Sequence, residues 1–427
     1  ITYNICGGFL RQKTECMHME HFITEIQIRH LLHLSNQRIS LSPHGRQNLI
    51  LTGKNGSGKT TLLLALESFL SYLSWWDGSV VDDHYFRVDM QGPAGIIIEQ
   101  QEKNRRRQHY RLLSYYFALQ GINIAMSATA GMKRLLEQGD FIVAYYPAER
   151  RVLFDVVSGV EDVQLKNYYG MEEDPGALLL KYMVHLITQQ AYARNAGDDD
   201  VVELIRTWFV RFEDALRVLM DGKSIRLEYD YREYRFWIVE SPQKKYTFDQ
   251  LSDGYSAIIR IVTDLMLRMD QNWLKQGTLS CYNTEGIVLI DELETHLHID
   301  LQRKILPFLT TFFPRIQFIV STHSPYILNS ISNALVYDME KNIAIEDMSA
   351  YSVEGIVEGY FDGQSYSDEI KRKVLRYEEL VFLQKPSEEQ RAERAKLRAE
   401  LKGLSGQLSS EAKAAFEEIE SRRKQNG

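Results

Sequence analysis

The 427 residues are 44% hydrophobic and 25% charged, an ordinary globular mixture that excludes a chain too polar to build a core. A net charge of −8 at pH 7 excludes whole-chain attraction to nucleic acid or anionic lipid, so either partner would need a local basic patch. Cys6, Cys16 and Cys281 make neither a disulfide framework nor a CxxC pair, and no apolar run reaches the ~18 residues of a membrane helix. A cytoplasmic protein with no membrane partner is expected.

Residues 1–18 read as a non-native or disordered extension, because the chain opens on Ile and Met17 or Met19 is the expected natural start. Residues 22–28 alternate as a strand does, with Phe22, Thr24, Ile26 and Ile28 against Ile23, Glu25 and Gln27; residues 39–41 form a second short strand. Leu49, Ile50 and Leu51 form a buried strand, followed by a glycine-rich loop and an apolar helical pattern over residues 60–72. Residues 77–89 read as loop. Two strands, 95–101 and 109–119, flank the basic turn KNRRR at 103–107, which is either a solvated turn or a nucleic-acid contact. Residues 141–146 are another continuous apolar strand, ending in Pro147, Ala148, Glu149, Arg150 and Arg151. Helical spacing returns over 175–194 and 198–219, where the stripe Leu204, Ile205, Trp208, Phe209, Phe212 and Leu216 reads as core packing. Residues 225–231 and 234–239 make a hairpin. From 387 onward Glu, Lys, Arg, Ala and Gln dominate, with leucines every three or four residues and a break at 403–406: one or two amphipathic helices.

The chemistry concentrates in four segments. Gly53, Asn55, Gly56, Ser57, Gly58, Lys59, Thr60 and Thr61 fit G-x-x-x-x-G-K-[ST] between strand and helix. Glycines let backbone N–H groups face phosphate oxygens at a helix N-terminus, Lys59 adds charge near the β- and γ-phosphates, and the Thr60 hydroxyl suits Mg²⁺. The alternative is a glycine-rich turn before a core helix. Residues 286–297, GIVLIDELETHL, put Asp291 and Glu292 at the C-terminal end of a buried strand. Asp291 can hold Mg²⁺ and Glu292 can orient or deprotonate the attacking water. The strand at 318–323 ends in His323, which can reach a γ-phosphate. In residues 248–262 a Leu-Ser-x-Gly turn opens an apolar helix, giving Ser252 and Gly254 to an anion, or only an N-capped helix.

In this order the phosphate loop, LSDGY (251–255), IVLIDE (287–292) and STHSP (321–325) resemble an ABC-type ATPase of the RecF/SMC/OLD branch. The resemblance runs over about residues 22–347, and the YSVEGIVEGYFD stretch (351–362) is similar to ATPase subunits of bacterial anti-phage systems such as Septu, PARIS and retron-linked ATPases. It implies an α/β P-loop fold of ABC type with a mixed sheet, a helical insertion lobe and a helical C-terminal tail. The implied divisions are 19–154 and 226–348 for the ATPase core, 155–225 for the insertion and 349–427 for the tail that docks a partner. It implies ATP and Mg²⁺, a head-to-tail homodimer in which Ser252 and Gly254 complete the other chain's site, and a separate effector such as a nuclease. A RecF-like DNA-binding ATPase is the alternative. His296 and His298 fall in the segment that such dimers place at their interface, rather than on a metal. The Q-loop glutamine is missing, leaving Glu149 or Arg150 in its position. IVEG (356–359) starts like a TOPRIM nuclease domain but no Asp-x-Asp follows, so no intrinsic nuclease is expected.

Overall fold

A computed structural model describes residues 20–73, 121–128, 131–150, 154–220, 222, 224–271, 282–359, 368–383, 387–403 and 410–425. The expected extension at 1–18, the loop at 77–89, the strands at 95–101 and 109–119, the basic turn between them and all three cysteines lie outside these residues. The chain divides into two compact units, Ile1–Met348 and Ser349–Gly427.

The first unit is organised by a six-stranded sheet. β3 (Asn48–Thr52), β5 (Phe141–Tyr146), β9 (Glu285–Ile290), β10 (Ile316–Ser321) and β11 (Ala334–Asp338) run parallel, in the order β11-β3-β10-β9-β5. β12 (Ile343–Glu346) pairs antiparallel outside β11. All six residues of β9 and of β10 are buried, as strands covered on both faces require. Because the central strands are parallel, β3, β9 and β10 end on one side, and the three segments that follow them meet there.

A second sheet, β2-β1-β4, lies at the start of the chain: β1 (Ile23–Leu31), β2 (Leu34–Ser40) and β4 (Ile122–Met126). The expected alternation along β1 is broken by a register shift between Ile23 and Glu25, so Ile23, Ile26 and Ile28 are all buried. The Gln317 side chain joins this sheet to the central one, accepting from Ile23 N–H at 2.8 Å and donating to the Ile23 carbonyl at 3.0 Å. α1 (Lys59–Leu73) follows the phosphate loop, and its Leu62, Leu63, Leu66, Phe69, Leu70 and Leu73 enter the same core. α2 (Met132–Gln138) leads into β5.

Beyond β5 come α3 (Leu179–Ala196) and α4 (Asp199–Leu219), with Asp198 capping α4 through its carboxylate. Ile205, Trp208, Phe212 and Leu216 are buried, the packing role expected for the stripe. The hairpin gains a third strand: β6 (Arg226–Asp230), β7 (Arg235–Ser241) and β8 (Lys244–Tyr246).

α5 (Asp253–Met269) runs through the interior, with Asp264 and Arg268 almost completely buried. Arg268 Nε donates to Asp264 at 2.7 Å, while its Nη atoms donate to the carbonyls of Val143, Tyr169, Gly170 and Glu173. Tyr146 Oη donates to the same Asp264 carboxylate at 2.5 Å and Gly176 N–H donates to its other oxygen at 3.2 Å. Each buried charge is therefore met, which the interior demands. α6 (Ile299–Phe312) precedes β10, and α7 (Pro325–Leu328) follows it.

The second unit holds α8 (Val353–Gly359), α9 (Asp368–Phe382), α10 (Glu388–Gly403) and α11 (Ser410–Gln425). Val374, Tyr377, Leu401, Phe416 and Ile419 form its core. Around it, Arg398 bonds both carboxylate oxygens of Glu420, holding that acid down at about 2. Among the described residues, no helix is long and apolar enough to cross a membrane.

Candidate functional site

The loop after β3 turns through three glycines with positive φ: Gly53 (+126°), Gly56 (+81°) and Gly58 (+96°). At Gly58 the residue type is doubly required, because a Cβ would also lie 2.8 Å from the Leu34 methyl carbons. The loop curls around the Lys59 ammonium, which donates to the carbonyls of Gly53 at 2.9 Å and Lys54 at 3.1 Å. Burial lowers the Lys59 pKa, against the pull of the nearby Glu292, Asp291 and Glu294 carboxylates. Asn55 and Gly56 lie exposed at the loop tip, Thr61 is half-buried in the first turn of α1, and the buried Ser57 hydroxyl has no protein partner.

Thr60 Oγ1 donates to Asp291 Oδ2 at 2.8 Å, joining the end of the phosphate loop to the acid after β9. Ser321, the last residue of β10, donates its hydroxyl to Asp291 Oδ1 and accepts from Glu292 N–H at 2.8 Å. Asp291 N–H continues the sheet by donating to the Tyr146 carbonyl at 2.8 Å. Glu292 has left β geometry, with φ at +45°, a region that non-glycine residues seldom occupy. Its carboxylate accepts from Thr295 Oγ1 at 3.3 Å.

His323 is held through its backbone: its N–H donates to Glu294 Oε1 at 2.5 Å, while Thr322 Oγ1 donates to Glu294 Oε2 at 2.7 Å. The His323 Nε2 atom is buried without a protein partner. Burial, then the Lys59 charge, lower the His323 pKa below its ordinary value, against the pull of the Glu294, Glu292 and Asp291 carboxylates.

Lys59, Thr60, Asp291, Glu292 and His323 thus gather at one end of the sheet. Ser252 and Gly254 do not join them. Ser252 sits at the N-cap of α5, exposed and making no capping bond with its side chain. Gly254 is buried against the loop before α6, where a Cβ would lie 2.4 Å from the His296 carbonyl oxygen. His296 itself has φ at +64°, and His298, fully turned to solvent, stands 3.5 Å from Asp300.

A strand, phosphate-binding turn and helix, linked to an acid that follows β9 two places along the parallel strands, make an α/β P-loop fold with a mixed sheet. The chain is similar to a Septu protein and to probable ATPases of retrons. It is 26% identical over 398 residues to the Septu protein PtuA of Bacillus mycoides (strain KBAB4), covering 88% of this chain and 49% of that protein. With the Retron Ec83 probable ATPase of Escherichia coli it shares 30% identity over 183 residues, 42% of this chain and 33% of the relative. The chain therefore spans about half the length of one relative and about a third of the other. The family model described as "AAA domain, putative AbiEii toxin, Type IV TA system" matches residues 181–329, which hold Ser252, Asp291 and His323 but not the phosphate loop. Among solved structures, an SMC head bound to the C-winged helix domain of ScpA aligns at a TM-score of 0.37 and 11% identity, over 77% of this chain and 99% of that one.

Sequence reasoning passes over two residues of the site and leaves a third undecided. Ser321 was legible only as part of a motif, Glu294 only as a neighbour of the acids, and Arg150 only as one of two options. Their partners are carboxylates and backbone groups contributed by other strands, and no spacing along the chain announces them. Arg150 Nη1 donates to the Asp291 carbonyl at 3.2 Å and Nη2 to the Glu292 carbonyl at 2.8 Å, while Glu149 is exposed.

Proposed function

We propose that this chain is an ATPase whose nucleotide site is completed by a second copy of itself. In this reading it serves as a sensor or scaffold in bacterial anti-phage defence, controlling a separate effector such as a nuclease. The observation that carries the ATPase reading is the 2.8 Å bond between Thr60 and Asp291, which joins the phosphate loop to the acid strand. The buried Ser57 hydroxyl and His323 Nε2, each lacking a protein partner, supply polar atoms that suit a triphosphate.

Thr60 and Asp291 would hold Mg²⁺, which supplies charge neutralisation across the phosphate oxygens when bound. Lys59, cradled by the loop carbonyls, meets the β- and γ-phosphates. Glu292 orients the attacking water, and His323 meets the γ-phosphate through Nε2. Ser252 offers an exposed hydroxyl and the positive end of α5, directed in this reading to the triphosphate of a partner chain. Closure of two copies around ATP, and release after hydrolysis, then follow from contacts that exist only while the γ-phosphate is present. The defence role draws on the likeness to Septu PtuA and the retron ATPase, and a cytoplasmic location goes with it. The tail at 349–427 is the proposed effector dock.

Glu292→Gln tests the shared site. It is expected to bind ATP, fail to hydrolyse it and accumulate as a dimer in analytical ultracentrifugation. A variant that stays monomeric with saturating ATP sinks the two-chain site, and wild-type turnover sinks the role of Glu292.

A further inference from the structure

The turn carrying Glu292 is held by bonds of two kinds, to neighbouring strands and to an arginine side chain. Its N–H groups are tied to strands, Asp291 to the Tyr146 carbonyl and Glu292 to Ser321 Oγ, each at 2.8 Å. The Asp291 and Glu292 carbonyls both accept from the Arg150 guanidinium, at 3.2 and 2.8 Å, and the Glu292 carbonyl also accepts from Thr295 N–H at 3.0 Å. A non-glycine residue with positive φ costs on the order of 1–3 kcal/mol and persists only where its surroundings over-determine it. Here Arg150 ties both carbonyls of the turn to the segment that follows β5.

The residue type matters. A planar guanidinium offers a rigid fork of donors that spans two adjacent carbonyls, whereas an ammonium is a point donor on a flexible stem. Its charge is largely withdrawn from water and is balanced chiefly by Glu294, Asp291 and Glu292. Glu294, whose charge acts on Arg150, in turn accepts from the Thr322 hydroxyl and from His323 N–H.

We infer that Arg150 is a positioning residue for hydrolysis, whose fork fixes the left-handed backbone of Glu292 and so aims its carboxylate. This rests on the reading of Glu292 as the group that orients the attacking water. Loss of the fork lets the peptide after Asp291 rotate and swings the Glu292 side chain, while Lys59 and Thr60 stay in place. The rate therefore falls and nucleotide affinity does not.

The test compares full-length wild type, Arg150→Ala, Arg150→Lys and Glu292→Gln for ATP affinity by calorimetry and for steady-state hydrolysis. A misaim of about 1 Å can cost about a hundredfold, so Arg150→Ala should lose at least about tenfold in kcat with Kd for ATP within about threefold. Millimolar guanidinium should restore part of that kcat, which general loosening of the fold cannot produce. Arg150→Lys should lose more than about threefold in kcat but less than Arg150→Ala, and it alone decides if the alanine variant does not fold. A kcat within about threefold of wild type in the deciding variant overturns the inference, as does a loss of ATP affinity matching the loss of rate. If Arg150→Ala is active while Glu292→Gln is dead, only this inference falls. If Glu292→Gln turns over ATP normally, the reading of Glu292 falls with it.

Discussion

Gly254→Ala pits two effects of opposite sign against each other. Within a helix this exchange ordinarily stabilises by up to about 1 kcal/mol, and by less in the first turn where Gly254 lies. Against this, the new Cβ would meet the His296 carbonyl oxygen at 2.4 Å, and real Cβ contacts essentially never close below 3.0 Å. The obstacle is backbone rather than a flexible side-chain tip, and His296 is itself fixed at φ +64°. Overpacking of this kind costs about 1–3 kcal/mol, so the net change is a destabilisation of about 1–2 kcal/mol. For a unit of this size that lowers Tm by about 1–3 °C. Thermal unfolding followed by intrinsic fluorescence without nucleotide measures it, since a role confined to phosphate binding leaves the nucleotide-free protein untouched. A Tm that rises on substitution refutes the close approach of α5 to the His296 loop.

Two further predictions concern buried charge. Asp264→Asn strips Arg268 of its carboxylate and should cost about 3–5 kcal/mol, while Tyr146→Phe removes one of several donors to that carboxylate and should cost about 1 kcal/mol. Thermal melts that reverse this order contradict the assignment of the ion pair as the centre of the network. Asp270, completely buried beneath Trp208 Nε1 at 2.5 Å, has its pKa raised by burial to about 8. Because the folded pKa lies above the unfolded one, its contribution is full below about pH 4 and is lost as pH rises towards 8, at up to about 1.4 kcal/mol per pH unit. Asp270→Asn should therefore gain stability relative to wild type from pH 5 to pH 8, and parallel Tm-versus-pH curves for the two proteins would count against a neutral native Asp270.

The nucleotide-facing half of the fold is readable because parallel strands write themselves as unbroken apolar runs. Residues 49–51, 141–146, 287–290 and 318–320 each do so, and each is followed by polar groups that could serve no apolar purpose. β11 and β12 escape notice for the opposite reason. β12 is a largely exposed edge of four residues, and β11 gains its meaning only from pairing with β3. β4 is a five-residue strand whose only signal is that Ile122 and Ile124 alternate inward, too short a pattern to stand out. Gly254 shows a different limit. The motif explains a glycine there by anion approach, yet the atom that forbids a side chain belongs to a loop that sequence spacing does not connect to it.

The position of β3 has a consequence for how the protein is made. Leu49 pairs with Ile319 on one side and with Leu335 on the other, so the strand that feeds the phosphate loop acquires both neighbours only near the end of the first unit. At synthesis rates of about 5–20 residues per second, roughly 15–60 s separate the emergence of β3 from that of β11. During that interval its apolar residues have no sheet to enter, and closing so long a loop must precede any reward from pairing. Competence to grip a nucleotide therefore arrives late and in one step. A ribosome-bound chain stopped before Ala334 should leave β3 without one of its two neighbours.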